Sequence, residues 1–297
     1  MTNTPSASTG IGQPGAPAQH KWQQLVSVAS MNHKGGVAKT NVTANHSALF
    51  AQQFGPALVI DSDQQGTLTK NLGCNKFHPG LNQVLLGQAS LVDCLQKAND
   101  QPNLYVLGPG TGLEFLGRPE KLDESLSRPE ISAVEYAQRL NAEIETANQF
   151  LPEPFQAVFF DMPPGYSTVT DVVLLVAKRV VVPVCPAEEV VDGVASLLAQ
   201  LELKREYNPE LAILGVLITR FKKNEDQLQY IKLFHKGFPE NTPFFDAIIP
   251  ENQGTSSAAT FSKPAVLYDK EGSGARAYRK YFKQFVVGIK KEFGYGA

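Results

Sequence analysis

His33-Lys34-Gly35-Gly36-Val37-Ala38-Lys39-Thr40 decides how this chain is read. An apolar run, Leu25 to Met31, leads into it, and a helix-compatible stretch from Thr40 to Phe54 follows. A strand, a glycine-rich turn and a helix start, in that order, make a phosphate cradle. Successive N–H groups of the turn point inward, and the positive end of the helix dipole adds to them. From such a turn Lys39 reaches the β- and γ-phosphates, and the Thr40 hydroxyl is placed to ligate Mg²⁺. Nucleotide binding is the expectation.

Working outward, 297 residues suffice for one large α/β domain or two smaller ones. A formal net charge of −2 gives no global drive toward nucleic acid or anionic lipid, so either would have to be met by a local patch. The three cysteines, Cys74, Cys94 and Cys185, form no C-x-x-C pair. They argue for a reducing cytosol and against a structural zinc or a redox dithiol. No apolar run approaches the roughly 20 residues that span a bilayer. The first residues lack the basic start and apolar core of a signal peptide, so a cytoplasmic protein is expected.

Met1 to Gln19 is rich in Ser, Thr, Pro, Gly and Ala, and reads as a disordered tail over 1–20 ahead of one domain over 21–297. Strand candidates are Leu25–Met31, Ala57–Ser62, Leu104–Leu107, Phe155–Asp161, Arg179–Val184, Leu211–Thr219 and Ala247–Ile249. Several are continuous apolar runs, as parallel strands covered on both faces require. The longer segments between them supply crossover helices. The fold class is therefore α/β: a doubly wound, mostly parallel sheet with helices on both faces. Within 118–150, Ile131, Val134, Leu140, Ile144 and Ala147 recur at helical spacing. That segment reads as an extra crossover helix, with a partner-docking insertion as the alternative.

Two further runs end in carboxylates. Leu58-Val59-Ile60-Asp61-Ser62-Asp63-Gln64-Gln65-Gly66 and Ala157-Val158-Phe159-Phe160-Asp161-Met162-Pro163-Pro164-Gly165 each place acid at the carboxyl end of an apolar strand. That edge of a parallel sheet is where ligands bind, and carboxylates beside a phosphate loop hold Mg²⁺ or orient water.

The loop fails the strict G-x-x-x-x-G-K-[ST] pattern, because His33 and Ala38 stand at its two glycine positions. With Lys34 it makes K-G-G-x-x-K-T, which resembles the deviant Walker A loop of the ParA/MinD family of ATPases. Ala38 replaces that family's glycine, which a backbone of φ < 0 would accommodate, and Asn41 replaces its second threonine. D-x-D-x-Q-G resembles the family's Walker A′ motif, with Gln64 where proline is usual, and D-x-P-P-G resembles its Walker B. Val181 to Pro186 before a long helix, Glu188 to Tyr207, looks like a further family element. So do Gly215 to Arg220, Ile248 to Asn252, the K-P block at Lys263 and the G-A-R-A-Y block ending at Tyr278. The likeness runs from about Leu25 to Phe293.

The resemblance implies slow, partner-stimulated ATP hydrolysis. ATP would be held by Lys34, Gly35, Gly36, Val37, Ala38, Lys39, Thr40, Asn41, Thr219 and Pro250, and Mg²⁺ by Thr40, Asp61 and Asp161. Asp63 would position the attacking water. Lys34 would reach across a nucleotide-sandwich homodimer to the partner's phosphates, the trans-cation role worth roughly 10³–10⁵ in rate for arginine fingers. A ParA-type reading adds nonspecific DNA, a centromere-binding ParB-like activator and a nucleoid location. Its candidate DNA contacts are Arg220, Lys222, Lys223, Arg276, Arg279, Lys280 and Lys283. A MinD-type reading would instead lay the stripe Tyr278, Tyr281, Phe282, Phe285, Val286, Ile289 and Phe293 on a membrane surface. A third reading has the same switch act on a protein cargo.

Overall fold

Apolar and β-branched runs form the strands, and the computed structural model arranges them into a single sheet. It describes residues 22–116, 132–251 and 262–296. The expected tail over 1–20, the start of the expected insertion and Asn252 lie outside the described residues. The strands are β1 Val26–Ser30, β2 Ala57–Asp61, β3 Gln96–Lys97, β4 Leu104–Leu107, β5 Ala157–Asp161, β6 Arg179–Val184, β7 Ala212–Phe221 and β8 Phe244–Pro250. Their order is β3-β4-β2-β5-β1-β6-β7-β8. Every pairing is parallel except β3 with β4. The expected strands are all present, to within a few residues at their ends. β3, only two residues long, has no apolar run to announce it.

β1, β2 and β5 are buried at every position, which requires cover on both faces. The helices supplying it are α1 Lys39–Phe54, α2 Thr67–Asn71, α3 Leu81–Leu85, α4 Leu91–Cys94, α5 Ala133–Phe150, α6 Thr168–Val176, α7 Glu188–Asp192, α8 Val194–Arg205, α9 Glu225–Gly237 and a C-terminal helix, Ser273–Phe293. One face of the sheet packs a largely aliphatic cluster under α3, α5, α6 and α8. The other packs an aromatic cluster, including Phe50, Phe159, Tyr281 and Phe285, under α1 and the C-terminal helix.

Three sequence expectations are corrected here. The apolar stripe of the C-terminal helix is core: all seven of its residues are buried in the aromatic cluster, so it offers nothing to a membrane surface. Among the described residues no helix is long and apolar enough to cross a membrane. The expected long helix from Glu188 to Tyr207 is two, α7 and α8, meeting at Gly193, the poorest helix former of the segment. In α5, Val134 is exposed, and the buried stripe is Tyr136, Ala137, Leu140, Ile144 and Ala147. A capping box of Ser132 and Glu135 starts α5, and the helix packs on α3 and α6 as a crossover between β4 and β5.

Candidate nucleotide site

β1 stops at Ser30 and α1 starts at Lys39, so the loop turns over the carboxyl end of the central strand. Two left-handed residues, Gly36 (φ 75°) and Ala38 (φ 65°), shape it. The expected negative φ at Ala38 is wrong: the residue sits where glycine is favoured, at a cost of about 1–2 kcal/mol. The surroundings enforce it. Thr219 Oγ1 lies 3.0 Å from the Val37 carbonyl, and the Arg220 guanidinium donates to the Gly36 carbonyl at 2.8 Å. The Ala38 carbonyl accepts the Val42 N–H at the start of α1. Thr219, expected to hold ATP, is fully buried behind the loop and braces it.

Lys39 is only 8% exposed, and its Nζ spans the loop to the carbonyls of Asn32 (2.8 Å) and Lys34 (3.0 Å). Burial lowers its pKa, while Asp161 and Asp63 act in the opposite sense. Asn32 ties the loop to β6, donating to the Pro183 carbonyl and accepting the Lys34 N–H. The Lys34 side chain is exposed. His33 has no positive φ, so glycine is not needed there. Its ring stacks on Tyr166 at 4.0 Å, and its carbonyl accepts the Gly165 N–H, joining the loop to the D-x-P-P-G turn.

The carboxylates converge as their strand-end positions require. Asp61 and Asp161 are register partners on β2 and β5. Asp61 accepts the Thr69 N–H (2.8 Å), the Thr69 hydroxyl (2.7 Å) and the Asp63 N–H (3.2 Å). Its oxygens are thus engaged in fixing α2 and the Asp63 turn. Burial pushes its carboxyl up to about 6. Burial, then the neighbouring Asp61 charge, raises Asp161 well above the usual carboxylate range. The Thr40 side chain acts to lower the Asp161 pKa, and the buried Oδ1 of Asp161 has no partner among the described residues. A hydroxyl, an unfilled carboxylate oxygen and an excess of buried negative charge fit a divalent cation.

A cleft of about 440 Å³ lies over the loop. Gly35 to Asn41, Asp63 and Pro164 line it together with Arg220, Ile249, Pro250, Glu251 and Tyr278. Arg220 and Lys222, expected on a DNA face, both pair with Glu251, at 2.7 and 2.8 Å. Arg279 spends its guanidinium on the carbonyls of Val266 and Lys270. Lys223, Arg276, Lys280 and Lys283 are exposed, the last three on the outer face of the C-terminal helix. Reading along the chain misses Asn32, Thr69 and Tyr166 as site residues, because their partners are distant or belong to another element. Asn32 alone carried a signal, its place directly before the loop.

The family model described as an AAA domain (AAA_31) matches residues 25–213. The chromosome partitioning protein ParA of Caulobacter vibrioides is 30% identical over 263 residues, 87% of this chain and 93% of that protein. The chromosome-partitioning ATPase Soj of Thermus thermophilus is 28% identical over 270 residues, 89% of this chain and 96% of the relative. Cobyrinic acid a,c-diamide synthase from Mycobacterium smegmatis, solved with bound ADP and magnesium, aligns with a TM-score of 0.71. That alignment covers 91% of this chain and 97% of the synthase at 22% identity, a likeness of fold alone. The chain belongs to the ParA/Soj family of P-loop ATPases.

Proposed function

We propose, from the premise of a ParA/Soj-family ATPase, that Mg-ATP joins two copies of this chain into a dimer that holds DNA without regard to sequence. A ParB-like activator then stimulates hydrolysis and releases it. The observation that carries the reading is the partnerless, buried Oδ1 of Asp161 beside Thr40, under a loop that Lys39 already spans. Lys39 and the loop N–H groups from Gly35 to Asn41 bind phosphate, and Thr40 and Asp161 hold the Mg²⁺. Asp61 positions α2 and the Asp63 turn, and Asp63 orients the attacking water. Bound Mg²⁺ supplies neutralisation of the charge on the phosphate oxygens. Pro250 borders the nucleoside.

Lys34 is exposed at the mouth of the loop, and it reaches the partner's phosphates in trans. The DNA face comprises Lys223, Arg276, Lys280 and Lys283. Arg220 and Lys222 contribute less, since Glu251 already pairs with both; Arg279, like Arg276 and Lys280, donates to backbone carbonyls. Dimerisation doubles the phosphate contacts, which turns a weak patch into an adequate one. The protein would act in the cytoplasm on the nucleoid.

The test is a gel shift and a sedimentation run on Asp63→Ala with ATP or ADP. ATP should give a dimer that shifts DNA of any sequence; ADP should give a monomer that does not. Affinity should fall by about 0.9 log units per contacted phosphate per log unit of salt. A dimer that ignores DNA at low salt would leave the ATPase intact and move its cargo to a protein.

A further inference from the structure

Tyr278 is buried beside the cleft with its hydroxyl unused. It stands in the second turn of the C-terminal helix, is 1% exposed and lines the cleft together with Asn41 and Pro250. Its hydroxyl is closed to solvent and has no hydrogen-bond partner among the described residues. Tyr281, on the next turn, is equally buried but has a partner, His46 Nδ1 at 3.2 Å. A buried hydroxyl left unpaired is unfavourable, and native folds tolerate it chiefly where something else completes the bond. Burial raises the Tyr278 pKa, so the group is a phenol with a proton to donate.

Its place along the cleft names the part of the ligand it meets. Asp63 follows β2 and Asp161 ends β5, on one side of the phosphate loop. Ile249 and Pro250 end β8, three strands from β1 on the other side, and the C-terminal helix packs along β8 and α1. A triphosphate gripped by Lys39 and directed at Asp161 extends its sugar and base toward β8. We infer that Tyr278 is a nucleoside-binding residue: nucleotide binding shifts its side chain enough to open the hydroxyl, sealed in the ligand-free fold, to an acceptor on the sugar or base. It raises affinity for the nucleoside and contributes nothing to the phosphates. This rests on the ATP reading above, and it adds a polar contact from an element distant in sequence from every phosphate motif.

Tyr278→Phe removes the oxygen alone. Titration with Mg-ADP, Mg-2′-deoxy-ADP and inorganic pyrophosphate avoids the complication of dimerisation. ADP affinity should fall roughly three- to tenfold, the range of one neutral hydrogen bond, with pyrophosphate unchanged. The ligand-free melting temperature should stay the same or rise, because the deleted oxygen bonds nothing in the fold. If wild type binds 2′-deoxy-ADP as weakly as the variant binds ADP, the acceptor is the 2′-hydroxyl; full binding of both sugars by wild type places it elsewhere on the nucleoside. Equal ADP affinity in variant and wild type, a parallel loss for pyrophosphate, or a lowered ligand-free melting temperature overturns the inference. A wild type that binds neither ADP nor pyrophosphate overturns the ATP reading instead.

Discussion

The two ends of the cleft hold their charges in different ways. At the β2–β5 end, Asp61 and Asp161 are at most 1% exposed and Lys39 is 8% exposed, with every distance fixed by strand register or loop carbonyls. At the β7–β8 end, the paired side chains of Arg220, Lys222 and Glu251 are 47%, 65% and 29% exposed. Hydrogen bonds from Lys222 and Arg220 hold the Glu251 carboxyl below its usual range. Exposed pairs of this kind contribute about 0–1 kcal/mol, whereas truncating one partner of a buried charged pair costs several. One end is buried and held by strand register and loop carbonyls. The other is held by partly exposed ion pairs and by the Arg220 bond to the loop.

The largest test of that contrast is Lys39→Ala. Calorimetric titration should show ATP affinity reduced more than about 100-fold, or roughly 3 kcal/mol, because a desolvated charge facing the phosphates is lost. Retention within tenfold would erase the difference between the two ends.

A buried base with no charged neighbour sharpens the comparison from outside the cleft. His46 is 1% exposed, lies against Phe159 and Phe285, and is held by burial at a pKa of about 3. The unfolded chain takes up this proton near pH 6.5 and the fold does not, so stability drains as pH falls from 6.5 toward 3. At pH 5 the loss is about 2 kcal/mol. His46→Leu should melt with a smaller drop between pH 7.5 and pH 5 than wild type. An unchanged drop would place the acid sensitivity in the carboxylates.

Next in size is Ala38→Gly. Relief of the left-handed strain exceeds the added chain entropy, so denaturant unfolding should show a gain of roughly 0.5–1 kcal/mol. A loss would mean that the methyl group contributes packing that outweighs the strain. The smallest effect belongs to Arg220→Met, which keeps an unbranched apolar stem and drops the pairs with Gly36 and Glu251. Its unfolding free energy should change by less than about 1 kcal/mol and ATP affinity by less than tenfold. A change as large as that of Lys39→Ala would show that both ends of the cleft are equally rigid.

That the β2–β5 end brings Lys39, Thr40, Asp63 and Asp161 together was legible along the chain. These residues sit on motifs whose geometry is local: a turn between strand and helix, or the last residue of an apolar strand. The β7–β8 end was less legible. Pro250 was expected to hold ATP and lines the cleft, but Arg220 was read as a DNA contact and Thr219 as an ATP-holding residue. Both assignments depend on where β7 ends relative to β1, and no spacing in the chain reports that.

The sequence by itself determined most of the elements and the glycine-rich loop, because burial on both faces, turn chemistry and strand-end carboxylates are written into neighbouring residues. Only the tertiary structure decided that Ala38 adopts the left-handed conformation, since Thr219 and Arg220, some 180 positions away, pin the carbonyls before it. It also decided that the aromatic stripe of the C-terminal helix faces the sheet rather than a membrane. An amphipathic pattern specifies that one face must leave water and is silent on what receives it. That choice belongs to packing, which joins residues by distance in space and is indifferent to their order in the chain.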